Sequence, residues 1–532
     1  MKIAKDKIIA IGKILSFLLV PLFVYLFIVN SSLTAVGPAV GVYVPSDEET
    51  NYLTALSVYR GEPLYQNFSI SYPPGRFLAQ ALFFHLTTPS VISARIYMNL
   101  FAPLLFPTLL FFLTYRVLRV LKLTFFPAYL LGSLALLMDL TLVHSAQEVH
   151  ALIAAFGLVL LSRFRPRQLV LGIFLGLIFL FRFEAGIIVS LALLCSYRCL
   201  PSRLSLLSFS LVWLPILFHL IFHGTIINFL YDTIILGLLT QPRVMGQAIP
   251  PNDLWYVFLS SLVLLFGLAL SLWQHEEKPL RAIAGIALLS YVTALGRSDE
   301  GHLWYGLIWL PLLISYGVTQ FSRPRLSALL FGLAVTLFPF FLISVKSPAI
   351  FLLATAMLLA LPWRFPRFSP HLAWGGIICA LLIFHSFRYF SLRFQIPRYA
   401  GIIAHPWTQV PANNSIGGLN FPDPILTSLA EIKTHITGPD PYLFIFPENT
   451  LYYEYFHLPR PTRYLYLIGE RTSRTEAEII RDLSNTPNLY VLVFPEKALA
   501  RGGDLWTWIQ DNTNLLYSTT LQNKPVELYI VE

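Results

Sequence analysis

The sequence predicts a polytopic α-helical membrane protein that ends in a small α/β domain. Of its 532 residues, 56% are hydrophobic and only 12% are charged, whereas soluble domains carry about twice that fraction of charge. Apolar runs alternate with short basic clusters, which is typical of membrane helices joined by cytoplasmic loops. Beyond Phe394 the density of charged residues returns to an ordinary level. The chain therefore divides into a transmembrane region, residues 1–393, and a C-terminal domain, residues 394–532.

The N-terminus and the basic clusters predict the orientation. The residues from Met1 to Lys13 are basic, and the apolar run after them is full length and lacks a small-residue cleavage site, which predicts a retained membrane helix. The net charge of +9 would suggest nucleic-acid binding in a soluble protein, but here the Lys and Arg residues occur at every second turn of the chain. Placing these clusters in the cytoplasm puts the N-terminus inside and the C-terminal domain outside. A prokaryotic plasma membrane is the expected location, and nucleic acid is not an expected partner.

Hydropathy predicts about thirteen membrane spans. Several of them, including 149–162 and 185–198, fall short of the roughly 20 residues that a straight span needs, so eleven or twelve spans is the alternative count. The predicted spans are 14–33, 93–115, 124–142, 149–162, 168–182, 185–198, 205–223, 254–273, 282–296, 303–321, 326–345, 349–362 and 372–390.

The first external loop, residues 34–92, contains two predicted helices. Ser46 followed by Glu49 has the form of a capping box, and Gly61 is a natural helix stop, so the first helix should run from Asp47 to Arg60. The apolar stretch 73–86 is too short to span, which predicts an interfacial helix.

Two acidic residues in the first turn of that opening helix are candidates for chemistry. If Glu49 is used for capping, Asp47 and Glu48 are free to face a ligand. The alternative is that these carboxylates only complement the helix dipole, a common role for acidic residues at a helix N-terminus.

The C-terminal domain shows short β-rich runs with a helical pattern among them. Strands are predicted at Tyr442–Phe446, Leu489–Phe494 and Val526–Val531, and a helix at Thr475–Leu483. This domain has few candidates for chemistry of its own, so a lid or a substrate-docking module is its expected role.

Most ionisable side chains outside the basic clusters fall on one predicted membrane face. Such groups at the hydrocarbon boundary are costly and usually mark a functional path. Arginine binds phosphate bidentately, and a carboxylate near a hydroxyl can act as a general base, so the set suits sugar transfer from a phosphate-linked donor to an alcohol. Two carboxylates flanking a glycosidic bond would instead indicate hydrolysis. The residues are Asp47, Glu48, Arg76, His144, Glu148, His150, Arg182, Glu184, Asp232, Arg243, Arg297, Asp299, Glu300 and His302.

Several short motifs resemble those of a known superfamily. The acidic pair Asp47-Glu48 in the first external loop is followed by the segments Arg60–Tyr65, Tyr72–Gly75, Leu180–Gly186 and Gly296–His302. Together they resemble the GT-C superfamily of polyprenyl-phosphate-sugar-dependent glycosyltransferases, in the branch of protein O-mannosyltransferases and lipid A aminoarabinose transferases.

The resemblance implies a GT-C fold and roles for individual residues. The superfamily keeps its catalytic base in the first-loop acidic pair, so Asp47 takes that role, with Glu48 as the close alternative. Its donor hangs from a lipid phosphate at the outer face. The residues implied to bind the donor phosphate are Arg297, Arg182, Arg76 and His302. The alternatives are purely structural roles, in which Arg297 pairs with Asp299 or Glu300 and Arg76 reaches the membrane interface.

A divalent metal is a separate hypothesis, since some members of the superfamily use one and others do not. Glu148 lies one helical turn from His144 and two residues from His150, so either pair could join Asp47 or Glu48 around an ion. The spacing matches no strong metal signature. No cofactor is therefore certain.

The prediction is an inverting membrane glycosyltransferase. It would pass a sugar from a polyprenyl-phosphate donor to a hydroxyl on a lipid, glycan or protein at the outer face of the membrane, and the hexosyl and pentosyl types both stay open. A lipid or glycan flippase or transporter is a rival, although such proteins carry their charges near the bilayer midplane. An inactive relative that only binds lipid-linked glycan is another.

Overall fold

The structure is a computed structural model. It describes residues 46–99, 105–120, 147–162, 167–197, 202–240, 278–295, 309, 415–420, 423–447, 450–465, 472–496, 498, 503–521 and 524–531. Seven predicted spans lie wholly or almost wholly outside these residues: 14–33, 124–142, 254–273, 303–321, 326–345, 349–362 and 372–390. Of the span 93–115, the segment 100–104 lies outside them.

The described part of the membrane region is helical. In chain order the helices are α1 (Ser46–Tyr59), α2 (Gly75–Leu86), α3 (Val91–Asn99), α4 (Phe106–Val120), α5 (Gln147–Leu161), α6 (Arg167–Phe181), α7 (Phe183–Tyr197), α8 (Arg203–Phe222), α9 (Ile226–Leu230), a π-helix (Tyr231–Thr240) and α10 (Lys278–Leu295).

The C-terminal region combines strands and helices. Its elements are β1 (Ser415–Ile416), β2 (Leu419–Asn420), α11 (Asp423–Thr434), β3 (Tyr442–Phe446), a 3₁₀-helix (Thr450–Tyr452), α12 (Tyr453–Phe456), α13 (Ser473–Ser484), β4 (Leu489–Val493), α14 (Asp504–Asn512), β5 (Thr513–Leu521) and β6 (Lys524–Val531).

The chain forms two compact units, each built from three separate stretches. The first, which we call the helical unit, comprises Met1–Asn30, Asn99–Trp213 and Gly246–Ile396. The second, which we call the loop–tail unit, comprises Ser31–Met98, Leu214–Met245 and Pro397–Glu532. The first external loop, the segment after α8 and the C-terminal domain thus belong to one folded body.

Helix lengths in the helical unit agree with the predicted spans that can be compared. Helices α5, α6, α7, α8 and α10 cover the predicted spans 149–162, 168–182, 185–198, 205–223 and 282–296. Among the described residues, α8 is the one helix long and apolar enough to cross a membrane, while α6 and α7 have 15 residues each. The predicted shortness of the span 185–198 is therefore present in the structure.

Helices α6 and α8 approach closely through small residues. Gly172 and Gly176 on α6 have the G-x-x-x-G spacing that lets helix backbones meet in a membrane. A Cβ at Gly172 would overlap the carbonyl oxygen of Ser205. The Ser205 hydroxyl donates to the backbone oxygen of Gln168 at 2.9 Å and so links the same two helices.

The first-loop helix ends as its sequence predicts. Helix α1 covers Ser46–Tyr59, close to the predicted Asp47–Arg60. Gly61 has φ +82°, and its N–H donates to Val58 while the N–H of Glu62 donates to Ser57, both at 3.0 Å. This is the Schellman arrangement, which satisfies carbonyl groups that the helix leaves unpaired.

The predicted interfacial helix is also present as α2. It buries one face, which includes Phe77 and Phe84, and it exposes Leu82 and Leu86 on the other. An amphipathic helix with exposed leucines suits a position at a membrane interface.

The segment after α8 corrects the sequence prediction. Residues 224–253 lie between the predicted spans 205–223 and 254–273 and are expected to form a polar turn, but Ile226–Leu230 is α-helical and Tyr231–Thr240 is π-helical. The reason is that the stretch 226–239 is apolar enough to pack as a helix, with Asp232 as its one charged residue.

The C-terminal domain contains a four-stranded mixed sheet in the order β3-β4-β6-β5. Strand β3 pairs parallel to β4 through the crossover helix α13, and β6 pairs antiparallel to both β4 and β5. Strands β3, β4 and β6 and helix α13 lie where the sequence predicts them. Strand β5 and helix α14 were not predicted, because the polar alternation of β5 belongs to a sheet edge.

The close approach of α6 and α8 gives a stability prediction. Gly172→Ala should lower the thermal unfolding midpoint of the purified protein in detergent, because overpacking against backbone costs about 1–3 kcal/mol. Gly285→Ala on α10 is the control, since its Cβ would lie 3.3 Å from the Cβ of Ala192, a side-chain contact. Equal midpoints for the two variants would contradict the packing argument.

Candidate functional site

The first turn of α1 is held by the C-terminal domain. Asp47 and Glu48 lie in this turn, and their side chains fall outside the described residues. The carboxylate of Glu49 is described: it is 5% exposed, and its Oε2 accepts a hydrogen bond from the Thr450 hydroxyl at 3.3 Å. Glu49 therefore contacts the C-terminal domain, and its predicted capping role stays a prediction.

A second contact joins the same two segments at the other end of α1. The Arg60 guanidinium lies 3.4 Å from the carboxylate of Glu454, and the Arg60 side chain is 52% exposed. Exposed ion pairs contribute little, typically below about 1 kcal/mol. The buried Glu49 contact is thus the stronger candidate for fixing the helix.

The loop segment before α2 is held on both sides. The Ser69 N–H donates to the carbonyl of Arg463 at 2.9 Å, and Ser69 forms a parallel bridge with Tyr464. On the other side Gly237 of the π-helix packs so closely that a Cβ would overlap the Ser71 carbonyl oxygen. This segment leads directly into α2, whose second residue is Arg76.

Tyr65 fixes the next part of the same loop. Its side chain is fully buried, its φ is +61°, and its hydroxyl donates to the carbonyl of Tyr72 at 2.7 Å. Asn228 Nδ2 donates to the Tyr65 carbonyl at 3.0 Å. The stretch Tyr72–Gly75, one of the family-like motifs, is therefore anchored from within the loop.

A buried ion pair joins the π-helix to the C-terminal domain. Arg463 Nη1 lies 2.7 Å from Asp232 Oδ2, and Arg463 Nη2 lies 3.1 Å from Oδ1, which is a bidentate arrangement. Asp232 is fully buried and the Arg463 side chain is 13% exposed. Glu478, 4.0 Å from Arg463, and the Tyr464 hydroxyl, 3.1 Å away, complete the surroundings of the guanidinium.

Burial sets the direction of the pKa shift at Asp232, and the pair opposes it. Burial raises the pKa of the Asp232 carboxyl to about 6, although the charge and the hydrogen bonds of Arg463 lower it. Burial would lower the pKa of Arg463, but the charge of Asp232, the Tyr464 hydroxyl and the hydrogen bonds to both together outweigh burial, so the pKa is raised.

Three of the predicted site residues lie in the helical unit. Arg182 is the single residue between α6 and α7, and its Nε donates to Oε1 of Glu184. Glu148 is buried near the start of α5. His150 on the same helix packs against the rings of Phe106 and Trp309, with centroids 5.4 and 6.4 Å away.

The metal hypothesis is not supported by the described geometry. Glu148 and His150 are two residues apart on α5, and residues with this spacing do not face each other on a helix. Among the described residues, no group of three His, Cys, Asp or Glu side chains could hold an ion. His144, the other proposed ligand, lies outside them, as do the proposed phosphate-binding residues Arg297 and His302.

Sequence reasoning found part of this network and missed the rest. Asp232 was among the ionisable residues assigned to the outer face, and Arg76 was assigned to the donor phosphate. Arg463, Thr450 and Glu454 were missed, because each is an ordinary polar residue of the C-terminal domain. Their partners lie more than 200 residues away in sequence, so no local pattern identifies them.

Comparison with known proteins identifies the fold. No protein-family model and no curated protein sequence matches the chain. Two solved structures of ArnT from Cupriavidus metallidurans do. The structure bound to undecaprenyl phosphate matches with a TM-score of 0.54 and 12% identity over 97% of this chain and 98% of that chain. The apo structure matches with a TM-score of 0.51 and 12% identity over 98% of both chains.

This likeness confirms the predicted fold class in its coarser form. The chain shares the fold of these two ArnT structures over nearly its full length. That shared fold is in keeping with the resemblance predicted from the motifs. The number of spans stays a prediction.

The buried ion pair gives a second stability prediction. Arg463→Met and Asp232→Ala should each destabilise the protein by about 3–5 kcal/mol, because each leaves an uncompensated buried charge. The double variant should cost clearly less than the sum of the two, measured by unfolding midpoints in detergent. Arg481→Met, which removes an exposed ion pair with Asp482, is the control and should leave the midpoint unchanged. Additive single effects would contradict the pairing.

The pKa of Asp232 gives a pH prediction. In the unfolded chain this carboxyl ionises near its ordinary pKa of 3.8, whereas in the folded protein it holds its proton to about pH 6. Its contribution to the free energy of unfolding is therefore fully present below pH 3.8 and is lost as the pH rises to about 6. The unfolding midpoint of the wild-type protein minus that of Asp232→Asn should fall as the pH rises over this range and should stay level above it. A rise in this difference over the same range would show that the charge of Arg463 outweighs burial in setting the pKa of Asp232.

Proposed function

We propose that this protein is an inverting membrane glycosyltransferase. It takes a sugar from a polyprenyl-phosphate donor and passes it to a hydroxyl on a lipid, glycan or protein at the outer face of the membrane. The observation that carries the proposal is the fold shared with ArnT over 97% of the chain, in a structure that holds undecaprenyl phosphate. The motifs of the first external loop support the same conclusion.

Asp47 is the proposed general base, with Glu48 as the close alternative. Both residues lie in the first turn of α1, where the positive end of the helix dipole favours an ionised carboxylate. An ionised carboxylate is the state that a base needs at neutral pH. The turn belongs to the loop–tail unit, in which a buried hydrogen bond from Thr450 holds the next residue, Glu49.

The reaction balances with one base and one leaving phosphate. The carboxylate accepts the proton of the acceptor hydroxyl while that oxygen attacks the anomeric carbon of the sugar. The bond from the anomeric carbon to the phosphate oxygen breaks, and the polyprenyl phosphate leaves with the electron pair. Attack opposite the leaving group inverts the anomeric centre. No step of this scheme passes through a metal.

Arginine side chains are proposed to stabilise the leaving phosphate. Arg297, Arg182 and Arg76 are the candidates, together with His302, because guanidinium groups bind phosphate oxygens bidentately. Arg182 carries a carboxylate neighbour, Glu184, that orients its guanidinium. Arg76 is the second residue of α2 and directly follows the anchored segment Tyr72–Gly75.

The proposed orientation places the loop–tail unit outside the cytoplasm. The first external loop, the segment after α8 and the C-terminal domain are all predicted on that side by the distribution of Lys and Arg. These segments contact one another through Ser69, Asp232 and Arg463, and segments in direct contact of this kind must lie on the same side of a membrane.

The assignment of the base is tested by two carboxamide substitutions. Asp47→Asn should lower the release of undecaprenyl phosphate from undecaprenyl-phosphate sugars about 10²–10⁴-fold, the usual contribution of general base catalysis. Glu48→Gln should have the smaller effect. The assay uses purified full-length protein, membrane lipid extract as acceptor source and mannose, glucose and aminoarabinose donors, and donor binding should persist in both variants.

Glu62→Gln provides the matched control. Glu62 is a carboxylate of the same loop that accepts a hydrogen bond from Asn67 at 3.2 Å, and glutamine preserves that acceptor. Full turnover by both Asp47→Asn and Glu48→Gln would show that the base is elsewhere. Transfer of lipid-linked sugar between leaflets without its release from phosphate would show a flippase instead.

A further inference from the structure

A short segment of the C-terminal domain lies along the helix that carries the proposed base. Thr450, in the 3₁₀-helix, contacts Glu49 in the first turn of α1, and Glu454, in α12, contacts Arg60 at its end. All of these residues belong to the loop–tail unit. The segment Thr450–Phe456 therefore contacts α1 at both ends.

The two contacts differ in how strongly they hold the helix. Thr450 and Glu49 are 1% and 5% exposed, whereas the Arg60 side chain is mostly in solvent. A buried hydrogen bond to a charged acceptor contributes more than an exposed ion pair, which solvent screens. The end of α1 near Asp47 is thus the one that the C-terminal domain fixes.

The surroundings of Glu49 agree with a carboxylate that faces the C-terminal domain. Burial, and after it the charge of Glu49, raises the pKa of the neighbouring Tyr452 hydroxyl. Glu49 also adjoins Glu48 and lies two residues after Asp47 in the same helical turn. Because a helical turn is rigid, a side chain held at position 49 restricts the backbone at positions 47 and 48.

We infer that Thr450 is a positioning residue for the proposed sugar transfer: its hydroxyl holds Glu49, and through it the first turn of α1 that carries Asp47. The inference rests on the proposed function, because it takes Asp47 as the base. Displacement of a reacting group by about 1 Å costs up to about 100-fold in rate. The C-terminal domain thus supplies a side chain that sets the geometry of catalysis from outside the membrane region.

The kinetic test compares two substitutions at one position in the full-length protein. Thr450→Val keeps the shape and removes the hydroxyl, and it should lower kcat about 10–100-fold while KM for the undecaprenyl-phosphate sugar changes less than about twofold. Thr450→Ser keeps the hydroxyl and should restore kcat to near the wild-type value. Glu454→Gln, which removes the exposed ion pair at the other end of α1, should leave both constants unchanged.

A second measurement reads the positioning without catalysis. Thr450→Val should increase amide hydrogen exchange of residues 50–53 in α1, whereas the exchange of residues 56–59 should stay at the wild-type level. Thr450→Ser should show no increase. This readout separates a local effect on the first turn from loss of the whole domain contact, which would raise exchange along the entire helix.

The outcomes separate this inference from the proposed function. The positioning role is overturned, and the glycosyltransferase proposal is not, if the wild-type protein turns over and Thr450→Val has an unchanged kcat. The same conclusion follows if Thr450→Ser does not restore kcat, or if Thr450→Val raises KM alone. If Thr450→Val increases the exchange of residues 50–53 but the wild-type protein transfers no sugar, the proposed function is overturned, and with it the catalytic meaning of the contact.

Discussion

The loop–tail unit depends on one buried ion pair between Asp232 and Arg463. The pair joins a helix that follows α8 to a domain more than 200 residues further along the chain, and the backbone of Arg463 also pairs with Ser69 of the first external loop. Three segments distant in sequence therefore meet at Arg463. Because moving both charges out of water is costly, such a pair is tolerated when its geometry is bidentate and its other hydrogen-bond groups have partners. The Tyr464 hydroxyl accepts a further hydrogen bond from the guanidinium at 3.1 Å, and the Glu478 carboxylate lies 4.0 Å away.

The need for bidentate geometry explains why the backbone next to the ion pair is π-helical rather than α-helical. The π-helix places Asp232 against Arg463 while Gly237, five residues later, packs on the Ser71 carbonyl. π-Helical turns are rare and are kept mostly where a function or a tight contact demands them. Here two contacts constrain the same ten residues, a charge at one end and a backbone approach near the other. The segment that leads to Arg76 is fixed between the π-helix and the C-terminal domain as a result.

Local sequence signals predicted the elements, and long-range contacts escaped them. Gly61 predicted the end of α1, and the apolar runs at Tyr442–Phe446 and Leu489–Phe494 predicted two strands that the structure places side by side. Apolar runs also predicted the membrane helices that can be compared. The apolar stretch after α8 falls within the polar segment 224–253 between two predicted spans. The partner that makes Asp232 tolerable in the interior, Arg463, has no sequence feature that distinguishes it from a solvated arginine.

The buried contacts also bear on the role of the C-terminal domain. A lid that opens in each cycle by leaving the first-loop helix would have to separate Arg463 from Asp232 and Thr450 from Glu49, which breaks an ion pair and a hydrogen bond in the interior. Breaking a buried pair costs several kcal/mol, and a repeated opening would add that cost to every turnover. A domain that keeps these contacts avoids that cost and holds the first-loop helix and the segment before α2 in place. The contacts therefore weigh against a lid of this kind, whereas a substrate-docking module can keep them, and the role of the domain stays a prediction.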